Sequence, residues 1–100
     1  MATITILYPS GPSFDLKYYL DTHMPLVAKN WTSEGLQSWE ITQFAPGAPY
    51  QIQATLKFSS VSAWQAASSG ESSKPVFGDI PNFTEAQPVV LTGTHQASSQ

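Results

Sequence analysis

Residues 50–58 alternate strictly between apolar and polar side chains, and this is the strongest restriction on what the chain can fold into. A period of two is typical of a β-strand with one buried face. Residues 37–44 predict a second strand, with Trp39 and Ile41 on one face. A turn of five residues, 45–49, separates the two stretches, so they are predicted to form an antiparallel hairpin. The buried face of the later strand is expected to hold Tyr50, Ile52, Ala54, Leu56 and Phe58.

Two more strands and two helices complete the predicted order. Residues 2–8 alternate in the same way, and residues 86–94 contain the apolar run Val89-Val90-Leu91. Ser13 and the Ser59-Ser60 pair are placed to cap a helix each, because a hydroxyl can accept an N–H of the first turn. The order β-α-β-β-α-β predicts an α+β, ferredoxin-like fold: a four-stranded antiparallel sheet with two helices on one face.

The other face of this sheet is expected to be open. On residues 50–58 it carries polar side chains that tolerate water, whereas Trp39, Ile41 and Leu7 indicate a less polar surface on the other strands. An open face needs either water-tolerant side chains or a second sheet. Two such sheets packed back to back would form a homodimer.

Composition excludes several classes of function. One hundred residues fit one domain, predicted here to span 1–95 with a flexible polar tail over 96–100. Four cations and a net charge of −3 are too few positive charges for nucleic acid or an anionic membrane surface. The absence of cysteine excludes disulfides and thiolate metal sites and fits a reducing cytoplasm, where we expect the protein. Neither a signal-peptide pattern nor a membrane-spanning apolar run is visible.

The first helix carries the most informative pattern. One face is expected to hold Leu16, Tyr19, Leu20 and His23, which have helical spacing. Pro25 disfavours helical geometry at Met24, so we expect the helix to pause there and to restart with Pro25 in its first turn. Gly35 is well placed to end the segment.

The same region resembles a known family. Residues Phe14–Val27 are similar to the first-helix signature of the EthD family, named for ethyl tert-butyl ether degradation, which reads roughly Phe-Asp-x-x-Tyr-Tyr-x-x-x-His-x-Pro-Leu. Asp79–Thr84 resembles the segment before the family's last strand. The resemblance implies a dimeric α+β barrel with a pocket between the helices and the sheet of each subunit. Some related barrels act without cofactor on aromatic or polyketide-like molecules by oxygenation, cyclisation or decarboxylation, others bind haem, and others have no shown activity.

Three residues of this helix are the candidate catalytic groups. His23 matches the family's histidine, and an imidazole can exchange a proton near neutral pH. Tyr19, one turn earlier, could share a substrate or a hydrogen bond with it. Asp15 lies two turns earlier. Structural roles stay open for all three: His23 could bond a carbonyl where the helix breaks, Tyr19 could be core, and Asp15 could serve the helix dipole.

Aromatic side chains are the candidate pocket lining, each with a role in the core as its alternative. The residues expected to line the pocket are Tyr18, Trp39, Trp64 and Phe83. Asp79 and Asn82 are interpreted as turn formers around Pro81. His95 lies at the edge of the tail and is given no role.

The predicted function follows from these candidates. Two distant histidines and no cysteine give no converging metal ligands, and no glycine-rich phosphate loop is present, so no cofactor is expected, although haem on a single histidine stays open. The first hypothesis is a homodimeric enzyme acting on a hydrophobic small molecule, with His23 as acid or base. The second is a non-catalytic binding or accessory protein. The third is a dimer whose own surface is functional.

Overall fold

One antiparallel sheet forms the centre of the computed structural model, which describes residues 1–99. Its strands are β1 Ala2–Pro9, β2 Leu36–Gln43, β3 Tyr50–Phe58 and β4 Val89–Thr94. They lie in the spatial order β2-β3-β1-β4. The predicted α+β class and element order are confirmed. β4 begins at Val89 and not at residue 86, since Pro88 has no N–H to donate to the ladder.

The helix-facing side of the sheet is the buried one. It carries Ala2, Ile4, Ile6 and Tyr8 of β1 and Ile52, Ala54, Leu56 and Phe58 of β3. Trp39 pairs with Leu56 and Ile41 with Ala54, and residues directly opposite in an antiparallel pair share a face. The expectation that Trp39 and Ile41 make the open face less polar is therefore wrong. Trp39 is still 40% exposed, because β2 is an edge strand.

The open face has a polar half and an apolar strip. Side chains from β2 and β3 make the polar half, including Glu40 opposite Thr55. The apolar strip consists of Leu7, Val89 and Leu91, since Leu7 pairs with Val89 and Thr5 pairs with Leu91. Val89 and Leu91 are exposed, as is the whole of β4. This strip is the least water-tolerant part of the open face.

The first helical segment is continuous. It consists of α1 Leu16–Tyr18, a π-helical turn Tyr19–His23, α2 Met24–Trp31 and a 3₁₀ turn Thr32–Glu34. The expected pause at Met24 does not occur: its backbone stays in the right-handed helical region, and its N–H donates to the Tyr19 carbonyl five residues earlier. A proline ring clashes with the carbonyl four residues before it, and a π turn relieves this by widening the helix.

The ends of this segment are fixed by two residues. Asp15, and not the expected Ser13, caps α1, because its Oδ1 accepts the Tyr18 N–H at 3.0 Å. Gly35 ends the segment with a φ of 120°, as expected, a conformation that favours glycine.

Two short helices precede β4. They are α3 Val61–Ser69 and α4 Ser73–Gly78, followed by a 3₁₀ turn Ile80–Asn82. Ser60 caps α3 by accepting the Ala63 N–H at 3.0 Å. Trp64 of α3 packs edge-to-face against Trp31 and Phe58, each at a centroid distance of 5.3 Å. Among the described residues, no helix is both long and apolar enough to span a membrane.

Candidate functional site

His23 ends the π turn and is buried, with only 3% of its surface exposed. Its ring stacks on Tyr19 at a centroid distance of 5.1 Å and an interplanar angle of 19°. Phe83 contacts the His23 ring from the 3₁₀ turn side at 4.7 Å. Two aromatic rings thus restrict the imidazole to one orientation.

A carboxylate 56 positions away holds the imidazole. His23 Nδ1 lies 2.9 Å from Asp79 Oδ2. The other oxygen, Asp79 Oδ1, accepts the Tyr18 hydroxyl at 2.6 Å and the Asn82 amide at 2.8 Å. One carboxylate therefore receives three hydrogen bonds, from the first helical segment and from its own turn. We refer to Tyr18, His23, Asp79 and Asn82 as the Asp79 cluster.

Backbone contacts bring the turn to the helix. The Asp15 N–H donates to the Phe83 carbonyl at 2.9 Å, and the Thr84 hydroxyl donates to the Ser13 carbonyl at 2.7 Å. Phe14 and Thr84 also form an antiparallel bridge. These contacts fix residues 79–84 beside the start of the first helix.

The cluster sets the charge of its members. Burial alone would raise the pKa of Asp79, but the hydrogen bonds from Tyr18, Asn82 and His23 together hold that pKa below its ordinary value. Burial lowers the pKa of His23, and the hydrogen bond and charge of Asp79 oppose this only in part. At neutral pH the pair is therefore an ionised carboxylate and a neutral imidazole. Since an ionised carboxylate only accepts, the imidazole proton lies on Nδ1.

This arrangement leaves His23 Nε2 free. Among residues 1–99, Nε2 has no hydrogen-bond partner. Two side-chain atoms of the described residues are fully buried without a partner, Trp31 Nε1 and Ser72 Oγ. His23 Nε2 is not one of them, so it is not fully enclosed by protein. His23 lines a cavity between the sheet and the helices. A neutral imidazole with a free Nε2 can accept a proton.

The cavity is narrow and almost wholly apolar. Beside His23 it is lined by Tyr8, Tyr19, eleven aliphatic or aromatic residues and no charged side chain. The centre of a water-sized sphere can occupy about 20 Å³ of it. This is room for about one water, far below the ~300–1,000 Å³ of a typical ligand pocket. Its outer wall includes Ile80, Pro88 and Val90, which are partly or largely exposed.

Two phenols accompany the imidazole. The Tyr8 and Tyr19 rings are 6.0 Å apart and edge-to-face, and both line the cavity. Burial raises the pKa of Tyr19, and neighbouring Tyr8 raises it further. Burial also raises the pKa of Tyr8. Both phenols are protonated at neutral pH and can donate a hydrogen bond.

The structure brings together only some of the residues expected at the site. Tyr19 and His23 meet in the cavity, whereas exposed Asp15 caps α1 and does not reach His23. Tyr18 does not line the cavity, but its hydroxyl donates to Asp79 and its ring stacks on Phe83 at 6.4 Å. Trp39 lies at the sheet edge and Trp64 in the core, so neither lines the cavity.

Phe83 lies behind the site. It contacts the rings of Tyr8, Phe14, Tyr19 and His23 at centroid distances of 5.8, 5.2, 4.9 and 4.7 Å. It supports the imidazole but does not line the cavity.

Sequence reasoning missed Asp79 and Tyr8. The sequence predicts Asp79 as a turn former and Tyr8 as part of a strand, and gives neither residue a role at the site. The available signal is that Asp79 and Asn82 lie in the stretch Asp79–Thr84, which resembles the segment before the family's last strand. Nothing in the spacing indicated that the carboxylate would face His23.

Known structures share this architecture. No family model and no curated protein matches the chain. An EthD-like protein from Ralstonia eutropha is 26% identical, with a TM-score of 0.79 over 92% of this chain and 88% of that chain. An EthD family protein from Bacillus halodurans is 19% identical, with a TM-score of 0.76 over 96% and 99% of the two chains.

A more distant structure is described as a dimer. This protein of ferredoxin-like fold from Bacteroides fragilis is 9% identical, with a TM-score of 0.60 over 94% of this chain and 95% of that chain. The fold thus defines a ferredoxin-like α+β protein. Within that class the chain is similar to EthD-like proteins, and the resemblance inferred from Phe14–Val27 is confirmed.

Proposed function

We propose that this protein binds a hydrophobic, aromatic or polyketide-like small molecule and acts on it by cofactor-free acid/base chemistry of the oxygenation, cyclisation or decarboxylation class. The observation that carries the proposal is the 2.9 Å hydrogen bond between His23 Nδ1 and Asp79 Oδ2. It leaves Nε2 without a partner among the described residues, on a side chain that lines an apolar cavity.

His23 is the proposed general base. A substrate C–H or O–H bond breaks, its proton moves to Nε2, and the electron pair stays on the substrate as an enolate or phenolate. Asp79 then faces the imidazolium and stabilises it, as a carboxylate behind a catalytic histidine does in other enzymes. Tyr19 donates a hydrogen bond to the substrate oxygen that gains charge.

The cavity must widen to admit such a substrate, because in this conformation it accepts about one water. The wall beside β4 is where widening costs least. Phe77, Ile80, Pro88 and Val90 are already partly exposed there, so less buried surface is lost when they move.

Deuterium exchange tests the chemistry. The probe is phenylacetone, a small aryl ketone with an acidic benzylic CH₂, whose exchange in D₂O is followed by ¹H NMR. We expect catalysed exchange, reduced by about 10²–10⁴-fold in His23→Gln, since general-base catalysis contributes about that factor. His95→Gln is the matched control, because the His95 ring is exposed and, among residues 1–99, has the Ser98 hydroxyl as its only hydrogen-bond partner. Equal exchange by wild type and His23→Gln would refute the proposal.

Binding without chemistry is the second candidate. The lining of the cavity favours this candidate, because His23 is its only side chain that titrates near neutral pH. No second acid or base of that kind lines the cavity to complete a reaction. On this reading phenylacetone binds to the wild type, and its benzylic exchange does not exceed the rate in buffer.

The proposal includes a homodimer in the cytoplasm. The strip of Leu7, Val89 and Leu91 supports self-association, because a second copy of the open face would remove these side chains from water. The absence of cysteine supports a reducing compartment.

A further inference from the structure

We infer that the cavity selects an uncharged ligand and discriminates against carboxylates. The inference rests on the proposed function, since it names the class of molecule that the same site accepts. It derives from the side chains that line the cavity and from where the four lysines and Asp79 lie relative to it.

Among residues 1–99, the lining of the cavity contains no counter-ion for an anion. Of its fourteen lining residues, eleven have side chains without an ionisable group, and the remaining three are Tyr8, Tyr19 and His23. Both phenols stay protonated because burial raises their pKa values. A carboxylate moved from water into such surroundings loses its hydration and gains no opposite charge.

The cations of the chain lie elsewhere. Lys17 is paired with Asp21 at 2.7 Å, and Lys74 with Glu71 at 3.1 Å, both on the outer surface. Lys57 bonds the Thr3 hydroxyl on the open face of the sheet. Lys29 is exposed on α2. None of the four lysines is a lining residue of the cavity.

A negative charge already lies behind the site. Asp79 Oδ2 is 2.9 Å from His23 Nδ1, and the carboxylate has only neutral donors as its other partners, Tyr18 and Asn82. An anion placed at Nε2 would therefore face a like charge across one imidazole ring. In a low-dielectric interior this repulsion is weakly screened.

A neutral ligand needs no counter-ion and is not repelled by the Asp79 carboxylate. A carbonyl oxygen can accept hydrogen bonds from the phenols, and an adjacent C–H can give its proton to Nε2. The C–H bond breaks, the electron pair moves to the carbonyl oxygen, and the new imidazolium is balanced by Asp79. The step brings no net charge into the cavity. Substrates that must insert a carboxylate are disfavoured. Of the proposed reaction classes, the site therefore fits oxygenation or cyclisation that begins with proton removal from a neutral molecule, and the inference disfavours decarboxylation of a carboxylate.

Three molecules of matched size test the inference. Phenylacetone is neutral and enolisable, phenylacetamide is neutral and much less acidic, and phenylacetate is an anion at pH 7.5. Dissociation constants are measured from NMR shifts of the His23 ring and of the Met24 methyl group, which lies in the cavity wall. We expect the two neutral molecules to bind at least tenfold more tightly than phenylacetate.

Variants separate charge from shape. Asp79→Asn removes the negative charge behind His23 and should reduce the discrimination severalfold, whereas Asp15→Asn, at the exposed cap, should leave it unchanged. Phenylacetate binding as tightly as phenylacetone would overturn the inference. If none of the three binds, the smaller set of acetone, acetamide and acetate decides: a preference for the neutral pair supports the inference, and no preference or no binding overturns it.

The two proposals fail in different ways. Phenylacetone that binds in preference to phenylacetate but undergoes no catalysed exchange would refute the acid/base function and leave the inference standing. Catalysed exchange of phenylacetone, together with equally tight binding of phenylacetate, would refute the inference and leave the acid/base function standing.

Discussion

Asp79 decides what His23 can do at the scale of single residues. Without a carboxylate at Nδ1, a buried imidazole could carry its proton on either nitrogen. The 2.9 Å contact assigns the proton to Nδ1 and keeps Nε2 basic. Tyr18 and Asn82 hold the carboxylate in place from its other oxygen. The Asp79 cluster therefore acts as a unit although its members come from two ends of the chain.

We expect Asp79→Asn to lower the pKa of His23 further, because the hydrogen bond and charge of Asp79 are the two effects that raise it. An NMR titration of the His23 ring measures this directly. Asp15→Asn provides a matched loss of a carboxylate whose oxygens contact neither His23 nor Asp79, since Oδ1 accepts the Tyr18 N–H. A His23 pKa that stays the same or rises in Asp79→Asn would show that Asp79 does not set its protonation.

The π turn is the decisive feature at the scale of secondary-structure elements. It places Tyr19 and His23, four positions apart, in stacked contact, and leaves Leu20 40% exposed. The turn ends at His23, two residues before Pro25, whose ring and missing N–H disfavour regular helical bonding. The proline of the Phe14–Val27 stretch thus has a structural reason to follow the histidine so closely.

Pro25→Ala should let this turn relax toward α-helical geometry. Loss of the one extra residue in the π turn would rotate the side chains before it by about 100° relative to those after it. The contact between His23 and Asp79 should therefore weaken. We expect changed ¹⁵N shifts of the His23 ring and slower phenylacetone exchange, with stability altered by less than about 1 kcal/mol. Pro75→Ala, at an exposed position of α4, controls for the loss of a proline. Unchanged His23 signals would mean that Pro25 does not cause the π turn.

Gly35 is required at the junction between the first helical segment and β2. A Cβ there would lie 2.8 Å from Ser59 Oγ and 3.1 Å from Ala63 Cβ, at a φ of 120°. We expect Gly35→Ala to reduce the free energy of unfolding by roughly 1–3 kcal/mol. Gly78→Ala, where a Cβ meets nothing within 4 Å, should be neutral or slightly stabilising. Urea unfolding of both variants checks the contrast, and equal effects would contradict it.

Protonation of the site affects the stability of the whole molecule. The folded pKa of His23 lies below its unfolded value of about 6.5, so the unfolded chain takes up the proton first as the pH falls. The contribution of His23 to the free energy of unfolding is complete above the unfolded pKa and is lost progressively as the pH falls below it. Asp79, whose folded pKa lies below 3.8, contributes above that value and loses its contribution as the pH falls through its folded pKa.

Urea unfolding at pH 7.5 and pH 5 tests this linkage. We expect the wild type to be less stable at pH 5, and His23→Gln to lose much of this difference because the substituted side chain does not titrate. His95→Gln should keep it. An equal loss of stability in wild type and His23→Gln would assign the effect to other groups.

Self-association can be tested through the apolar strip. Leu91 is 54% exposed on the open face, so Leu91→Lys should shift a homodimer toward monomer in sedimentation or native mass spectrometry, because it would bury an unpaired charge. Thr92→Lys changes the neighbouring side chain on the opposite face and serves as the control. A wild type that is monomeric at high micromolar concentration would contradict the proposed dimer.

The sequence by itself determined the class of fold and one half of the site. Alternation in residues 2–8 and 50–58, together with the turn at 45–49, predicted the strands, because side chains alternate across a sheet with a period of two. The helical spacing of Tyr19 and His23 predicted that they would meet, since four positions make about one turn. These are local relations, and local geometry follows from backbone sterics and short-range spacing.

Only the tertiary structure decided the other half of the candidate site. Asp79 reaches His23 because residues 79–84 dock against the start of the first helix through hydrogen bonds to Ser13 and Asp15, a contact between segments about 70 positions apart. The register of β2 against β3, shifted between Leu36 and Ser38, turned Trp39 toward the helix side of the sheet. Tyr8 entered the cavity because β1 lies in the centre of the sheet. Such placements depend on how whole elements pack, and the spacing of residues along the chain does not encode them locally.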